Sequence, residues 1–187
     1  MTSWTARPHA GNVEPNPEDH EGCHPQQFDD VPVRIEQTFD VPRDQVFDAW
    51  VQRDLLEEWF APDGCTLHIV RLEVREGGGY HWCICHPSFG ECWTVGSYLE
   101  VRRPERLVFT SIIADADGIP RTPGSQGHDP AWPRDTIVCV TFSEHAGRTI
   151  VTLEQDVSER LAKRTGAHPS WLQMLERLRR HLGVATP

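Results

Sequence analysis

Between Val33 and Phe39 the chain alternates residue by residue, Val33, Ile35, Gln37 and Phe39 against Arg34, Glu36 and Thr38, which predicts a strand with one buried face. The period then lengthens. Asp40 stands before Val41-Pro42 and the helical spacing of Val46, Phe47 and Trp50, and a second short helix is predicted from about Arg53 to Phe60. From Thr66 the period returns to two, through segments at about 66–75, 79–86, 91–102, 105–113, 136–144 and 148–156. Most are separated by turn signals: Gly77 to Gly79, Pro87-Ser88-Phe89-Gly90, Arg103-Pro104 and Ala146-Gly147. Short connections favour antiparallel neighbours, so these strands are expected to form one curved meander. Residues 115–134, rich in Gly and Pro, are too many for a simple hairpin and read as a mobile lid. Near the end Pro169 suits a first helical turn, Trp171, Leu175, Leu178 and Leu182 share one face, and Gly183 closes the helix. That helix spans roughly fourteen residues, or ~21 Å, and Ser158 to Lys163 adds a turn before Gly166.

Composition bounds this picture. The chain has 187 residues, 38% of them hydrophobic and 25% charged, enough for one domain with a substantial core. Residues 1–30 mix Pro, Gly, Asn, Asp, Glu and His without apolar periodicity. Ordering them would cost backbone entropy with little burial in return, so a loose tail is expected there and a single domain over 31–183. Eighteen Lys and Arg against 28 Asp and Glu give a net charge of −10, which argues against nucleic acid and anionic bilayers as partners. The N-terminal residues lack an apolar stretch behind basic ones, and no run approaches the ~20 apolar residues of a membrane span, so the expected location is cytoplasmic. The six cysteines are then expected as thiols.

Candidate chemistry concentrates at Tyr80 to Cys92. Tyr80, Trp82 and Ile84 share one strand face, and a hairpin turning through Pro87 to Gly90 would set Trp93, Val95 and Ser97 opposite them. Phe109, Ser111, Val138, Val140, Phe142, Val151 and Leu153 hold the matching positions on later strands. Taken singly these residues read as core; together, with the hydroxyls of Tyr80, Ser97 and Ser111 among aromatic walls, they have the make-up of a small-molecule site. On the other face His81, Cys83 and Cys85 alternate, and the same hairpin would bring Cys92 across from Cys85. Three thiols and an imidazole offer a soft tetrahedral site for zinc, although cysteines at i and i+2 of a strand lie ~7 Å apart, wider than on the tight turns of common zinc sites. The plainer alternative is outer-face thiols, with a Cys85–Cys92 disulfide under oxidation. His20-Glu21-Gly22-Cys23-His24 in the tail offers a second set of metal-ligating types. For catalysis, His68, Glu73, Tyr80 and His128 are the ionisable candidates near a pocket mouth, with no nucleophile, base and acid at a recognised spacing and neither Gly-x-Ser-x-Gly nor His-Glu-x-x-His.

Several segments in order carry a family resemblance: Trp59-Phe60-Ala61-Pro62-Asp63-Gly64, the strand through Tyr80 and Trp82 after Gly77 to Gly79, Arg106-Leu107-Val108-Phe109-Thr110, and Ser170-Trp171. Over about residues 31–183 the chain resembles the activator-of-Hsp90-ATPase-homologue-like branch of the START/Bet v 1-like (SRPBCC) superfamily. The resemblance implies an α+β helix-grip fold, in which a seven-stranded curved antiparallel sheet wraps a C-terminal helix and two short helices join strands 1 and 2. It also implies a cavity between sheet and helix for a hydrophobic or aromatic small molecule, with no cofactor and no metal required. Tyr80, Trp82, Ile84, Trp93, Val95, Phe109, Ser111, Val138, Val140, Trp171, Leu175 and Leu178 are the wall residues expected on this reading. A polyketide cyclase- or hydrolase-like enzyme using the same cavity, a chaperone- or regulator-binding module, and zinc or redox sensing through His81, Cys83, Cys85 and Cys92 remain as alternatives. A homodimer remains open.

Overall fold

In the computed structural model, which describes residues 31–88 and 90–183, the alternation at the start of the chain becomes an edge strand, β1 (Pro32–Phe39). Val33, Ile35 and Phe39 are buried, while Arg34 on the other face pairs with Glu36 and Glu154. Two helices follow, α1 (Arg43–Val51) and α2 (Arg53–Trp59). Gln52 between them is extended, which breaks the helical ladder and turns Val46, Phe47, Trp50, Leu56 and Trp59 toward one interior. The chain then runs through β2 (Thr66–Leu72), β3 (Gly79–His86), β4 (Gly90–Arg102), β5 (Arg106–Ile113), β6 (Asp135–His145) and β7 (Arg148–Ser158). All seven strands lie antiparallel in one sheet of order β1-β7-β6-β5-β4-β3-β2. Short turns generate the meander except between β5 and β6, where residues 114–134 intervene, and the return of β7 to β1 joins the first strand to the last.

Two helices close the chain, α3 (Glu159–Thr165) and α4 (Ala167–Gly183). The Ser158 side chain caps α3 by accepting from Leu161 N–H, and Gly166, at φ 85°, supplies the left-handed residue that ends it. At 17 residues α4 is longer than its spacing predicts, because Pro169 sits within the first turn and does not mark its start. Trp171, Met174, Leu175 and Leu178 face the sheet. This is the helix-grip arrangement.

Register departs from expectation at one hairpin. His86 pairs with Gly90, and Gly90 adopts a left-handed φ of 90°. Taking Gly90 into the strand shortens the turn by one residue, so Cys85 faces Glu91 and Ile84 faces Cys92. A one-residue slip exchanges the faces of the whole of β4's first half. Trp93 and Val95 therefore join Cys83 and His81 on the outer face, and Cys92 joins Trp82 and Ile84 on the face toward α4. This corrects the expected placement of Trp93 and Val95 beside Trp82. It also separates Cys92 from His81, Cys83 and Cys85, so neither the four-residue zinc set nor the Cys85–Cys92 disulfide forms. Among the described residues, no group of three or more His, Cys, Asp or Glu side chains converges to hold a metal ion. The expected loose tail and its His/Cys motif lie outside the described residues.

Candidate ligand-binding site

The middle of the grip is filled by aromatic side chains. Tyr80 stacks on Trp82 at 3.8 Å between ring centroids, Trp82 meets Phe60 edge-on at 5.1 Å, and Phe60 meets Trp171 at 5.7 Å. Tyr80 also contacts Phe109 and donates its hydroxyl to Thr110 C=O at 2.8 Å. Gly96, directly across from Tyr80, makes this stack possible: a Cβ there would lie 2.5 Å from the tyrosine ring and 2.0 Å from Thr110 C=O. Tyr80, Trp82, Phe109, Val138, Val140, Trp171, Leu175 and Leu178 accordingly belong to one packed core, with Ile84 packed against it. Burial pushes the Tyr80 hydroxyl far above its ordinary range, so it serves here as a hydrogen-bond donor.

Space opens instead at the end of the grip where α3 meets α4. There a cleft of about 460 Å³ lies between the sheet, the 114–134 segment and the first turn of α4, within the size range of small-molecule sites. The sheet contributes Cys92, Thr94, Ser111 and Ile113; the long connection contributes His128, Asp129 and Trp132; the helical junction contributes Arg164, Thr165, Gly166, Ala167 and Ser170. Of the expected wall residues, Ser111 lines this cleft. The helix-facing phase of β4 and β5 brings Thr94 beside Ile113, which is why their side chains reach it.

Below the cleft a buried polar chain fixes α4 to the sheet. Trp171 Nε1 donates to Gln155 Oε1 at 2.9 Å, Gln155 Nε2 donates to Thr136 Oγ1 at 3.1 Å, and Thr136 Oγ1 donates to Ser111 C=O at 3.3 Å. Gln155 is buried, so leaving either end of its amide unpaired would cost about 1–3 kcal/mol.

The 114–134 segment is held to both neighbours. Asp115 accepts from Asp117 and Ile119 N–H and pairs with Arg121, closing a compact turn. A 3-10 turn at Pro123–Gln126 then carries His128 and Asp129 to the cleft rim. Asp129 accepts from Ala131 N–H and pairs with Arg164 of α3 at 2.8 Å. The Ala131 N–H, and after it the Arg164 guanidinium, hold the Asp129 carboxyl below its usual range. His128 Nε2 lies 3.8 Å from Cys92 Sγ. Burial pushes the Cys92 thiol up to about 11 and the His128 imidazole down from its ordinary value, so both are neutral near pH 7. The cleft thus presents an apolar wall, hydroxyls, a neutral thiol–imidazole contact and a charge pair already satisfied within the protein.

The remaining ionisable candidates lie elsewhere. His68 is on the outer face opposite Cys83, and Glu73 is tied to Arg71 and Arg75. Of the ionisable candidates His128 lines the cleft; periodicity could not reveal Asp129, Trp132 and Arg164, because they stand on a loop and a helix junction. The available signals were an isolated Trp in a Gly/Pro-rich stretch and the Gly166 break.

The family model described as Activator of Hsp90 ATPase homolog 1-like protein matches residues 40–183. No functionally curated protein matches the chain. Among solved structures, a protein from Staphylococcus epidermidis is 22% identical, with 86% of this chain and 94% of that one covered at a TM-score of 0.69. A protein from Mycobacterium smegmatis is 20% identical over 82% and 91%, at 0.68. The AHSA1 protein from Silicibacter pomeroyi is 18% identical over 83% and 100%, at 0.65. These likenesses concern the fold.

Proposed function

The chain belongs to the activator of Hsp90 ATPase homolog 1-like family, and from that premise we propose that it binds an uncharged hydrophobic or aromatic small molecule at the open end of the grip. The observation that carries this reading is the 460 Å³ cleft between Ile113, Trp132 and the first turn of α4. Trp132 and Ile113 offer apolar surface, worth ~25 cal/mol per Å² removed from water. Thr94 and Ser111 offer hydroxyls that orient a single polar group. Charge is discouraged: Arg164 is already paired with Asp129, and burial keeps His128 and Cys92 neutral.

Titration with the uncharged fluorophore N-phenyl-1-naphthylamine tests the assignment. Saturable binding is expected in the full chain, about tenfold weaker in Trp132→Ala, equivalent to about 1.4 kcal/mol, and abolished in Ser111→Phe, which fills the cleft. Absence of saturable binding, or binding indifferent to both substitutions, would remove the cleft as the site.

A further inference from the structure

The face of the sheet turned away from α4 holds a feature that the cleft does not use. Cys83 and Cys85 point to the same side of β3, and their Sγ atoms lie 3.0 Å apart. Cys83 is fully buried and Cys85 is half-buried, so the pair has one inner and one accessible sulfur. Trp93 lies across from Cys83; its ring stands 5.0 Å from that of His81 and 6.2 Å from that of His68. The two thiols therefore sit beside a patch of flat side chains.

Geometry selects the chemistry. Residues i and i+2 on a regular strand are ~6.7 Å apart, whereas a disulfide requires Cβ atoms within about 3.5–4.5 Å. A direct bond would have to buckle β3, an interior strand paired on both sides. A single atom placed between the sulfurs relieves that demand, since each Cβ–Sγ bond leans toward the bridge while the backbone stays extended. Zinc is a poor choice for the bridge because it needs four ligands, and no third ligating side chain converges among the described residues. A linear two-coordinate cation would hold its sulfurs on opposite sides, far apart. A pyramidal, thiophilic centre with narrow bond angles holds two sulfurs close together and turns its third substituent outward.

We propose that Cys83 and Cys85 form a dithiol site that captures a trivalent organic arsenical. The reaction is a condensation without change of oxidation state: two As–S bonds form, the As–O bonding of R–As=O is broken, and both thiol protons leave with the oxygen as water. No standing thiolate is required. This agrees with the Cys83 thiol being pushed well above its ordinary range by burial and by the adjacent Cys85. An aryl group on arsenic would project toward Trp93 and His68. Because this site and the cleft occupy opposite faces of the sheet, either can fail without the other.

Phenylarsine oxide is the probe. Intact-mass measurement of the native full-length protein is expected to show one phenylarsenic unit replacing two hydrogens, stable to a monothiol and removed by 2,3-dimercaptopropanol. Cys85→Ser, at the half-buried position, and Cys83→Ser should each lower retention by about 100-fold, the scale of a lost second attachment. Cys65→Ser and Cys92→Ser should retain the adduct. Circular dichroism on Cys85→Ser separates loss of the thiol from loss of the fold. An adduct that persists in either Cys83→Ser or folded Cys85→Ser, or that never forms on the native protein, overturns the proposal.

Discussion

His128 shows how one side chain couples the cleft to the solvent. Its imidazole is held below the ordinary histidine value by burial, next to a thiol that burial keeps protonated. The folded protein therefore declines a proton that the unfolded chain accepts near its unperturbed value of about 6.5. The sign follows: the stability tied to His128 is present above about pH 6.5 and is lost as pH falls through that value toward the lower folded one. Chemical denaturation between pH 8 and pH 5 should show a decline that is shallower in His128→Gln. The His128 ring should titrate by NMR with a midpoint below that of a solvated histidine. A midpoint at or above 6.5 would mean that the imidazole is not desolvated at the rim.

At the scale of elements, the position of α4 depends on more than its apolar face. Arg177 Nη1 donates to Ala61 C=O at 2.7 Å and Pro62 C=O at 3.2 Å, and Nη2 donates to Glu58 C=O at 2.9 Å. The guanidinium thereby satisfies carbonyls at the end of α2 and in the turn after it. Hydrogen bonds from a charged group contribute about 1.5–3 kcal/mol each in favourable cases. Arg177→Leu should cost about 2–4 kcal/mol in urea denaturation, while Arg179→Leu, whose partner Glu176 lies on the same exposed helix face, should cost under about 0.5 kcal/mol. Equal effects would show that α4 is held by burial alone. The apolar face of α4, the two helices after β1 and the strand alternation were all legible in the sequence, because each writes a period into the residue order. The helical tie through Arg177 was not, since a basic residue in that half of a helix reads equally well as a solvated partner of the dipole. The β3–β4 register was illegible for a different reason. Whether Gly90 belongs to turn or strand depends on a left-handed backbone angle, and that single choice exchanges Cys92 with Trp93 between faces.

For the molecule as a whole, the curved sheet creates a volume that side chains divide between solid core and open cleft. Inward phase made Tyr80, Trp82 and Ser111 equivalent in the sequence, since alternation tells which face a residue takes but not whether something opposes it there. The structure separates them: Phe60, arriving from the end of α2, and Trp171 of α4 fill the centre over Trp82, whereas the 114–134 segment meets α3 at the rim through Asp129 and Arg164. This division yields opposite outcomes for two tryptophans. Trp82→Ala removes a core ring and should destabilise by about 3–5 kcal/mol. Because the vacated space adjoins Phe60 and Tyr80, the variant should still take up N-phenyl-1-naphthylamine at least as well as the parent protein. Trp132→Ala removes a rim ring, and should weaken the probe while costing under about 1.5 kcal/mol of stability, as half-buried surface positions generally do. Paired denaturation and titration of the two variants measures both effects. If Trp82→Ala abolished binding in a folded protein while Trp132→Ala left it intact, the ligand would have to enter the centre of the grip by displacing the aromatic stack.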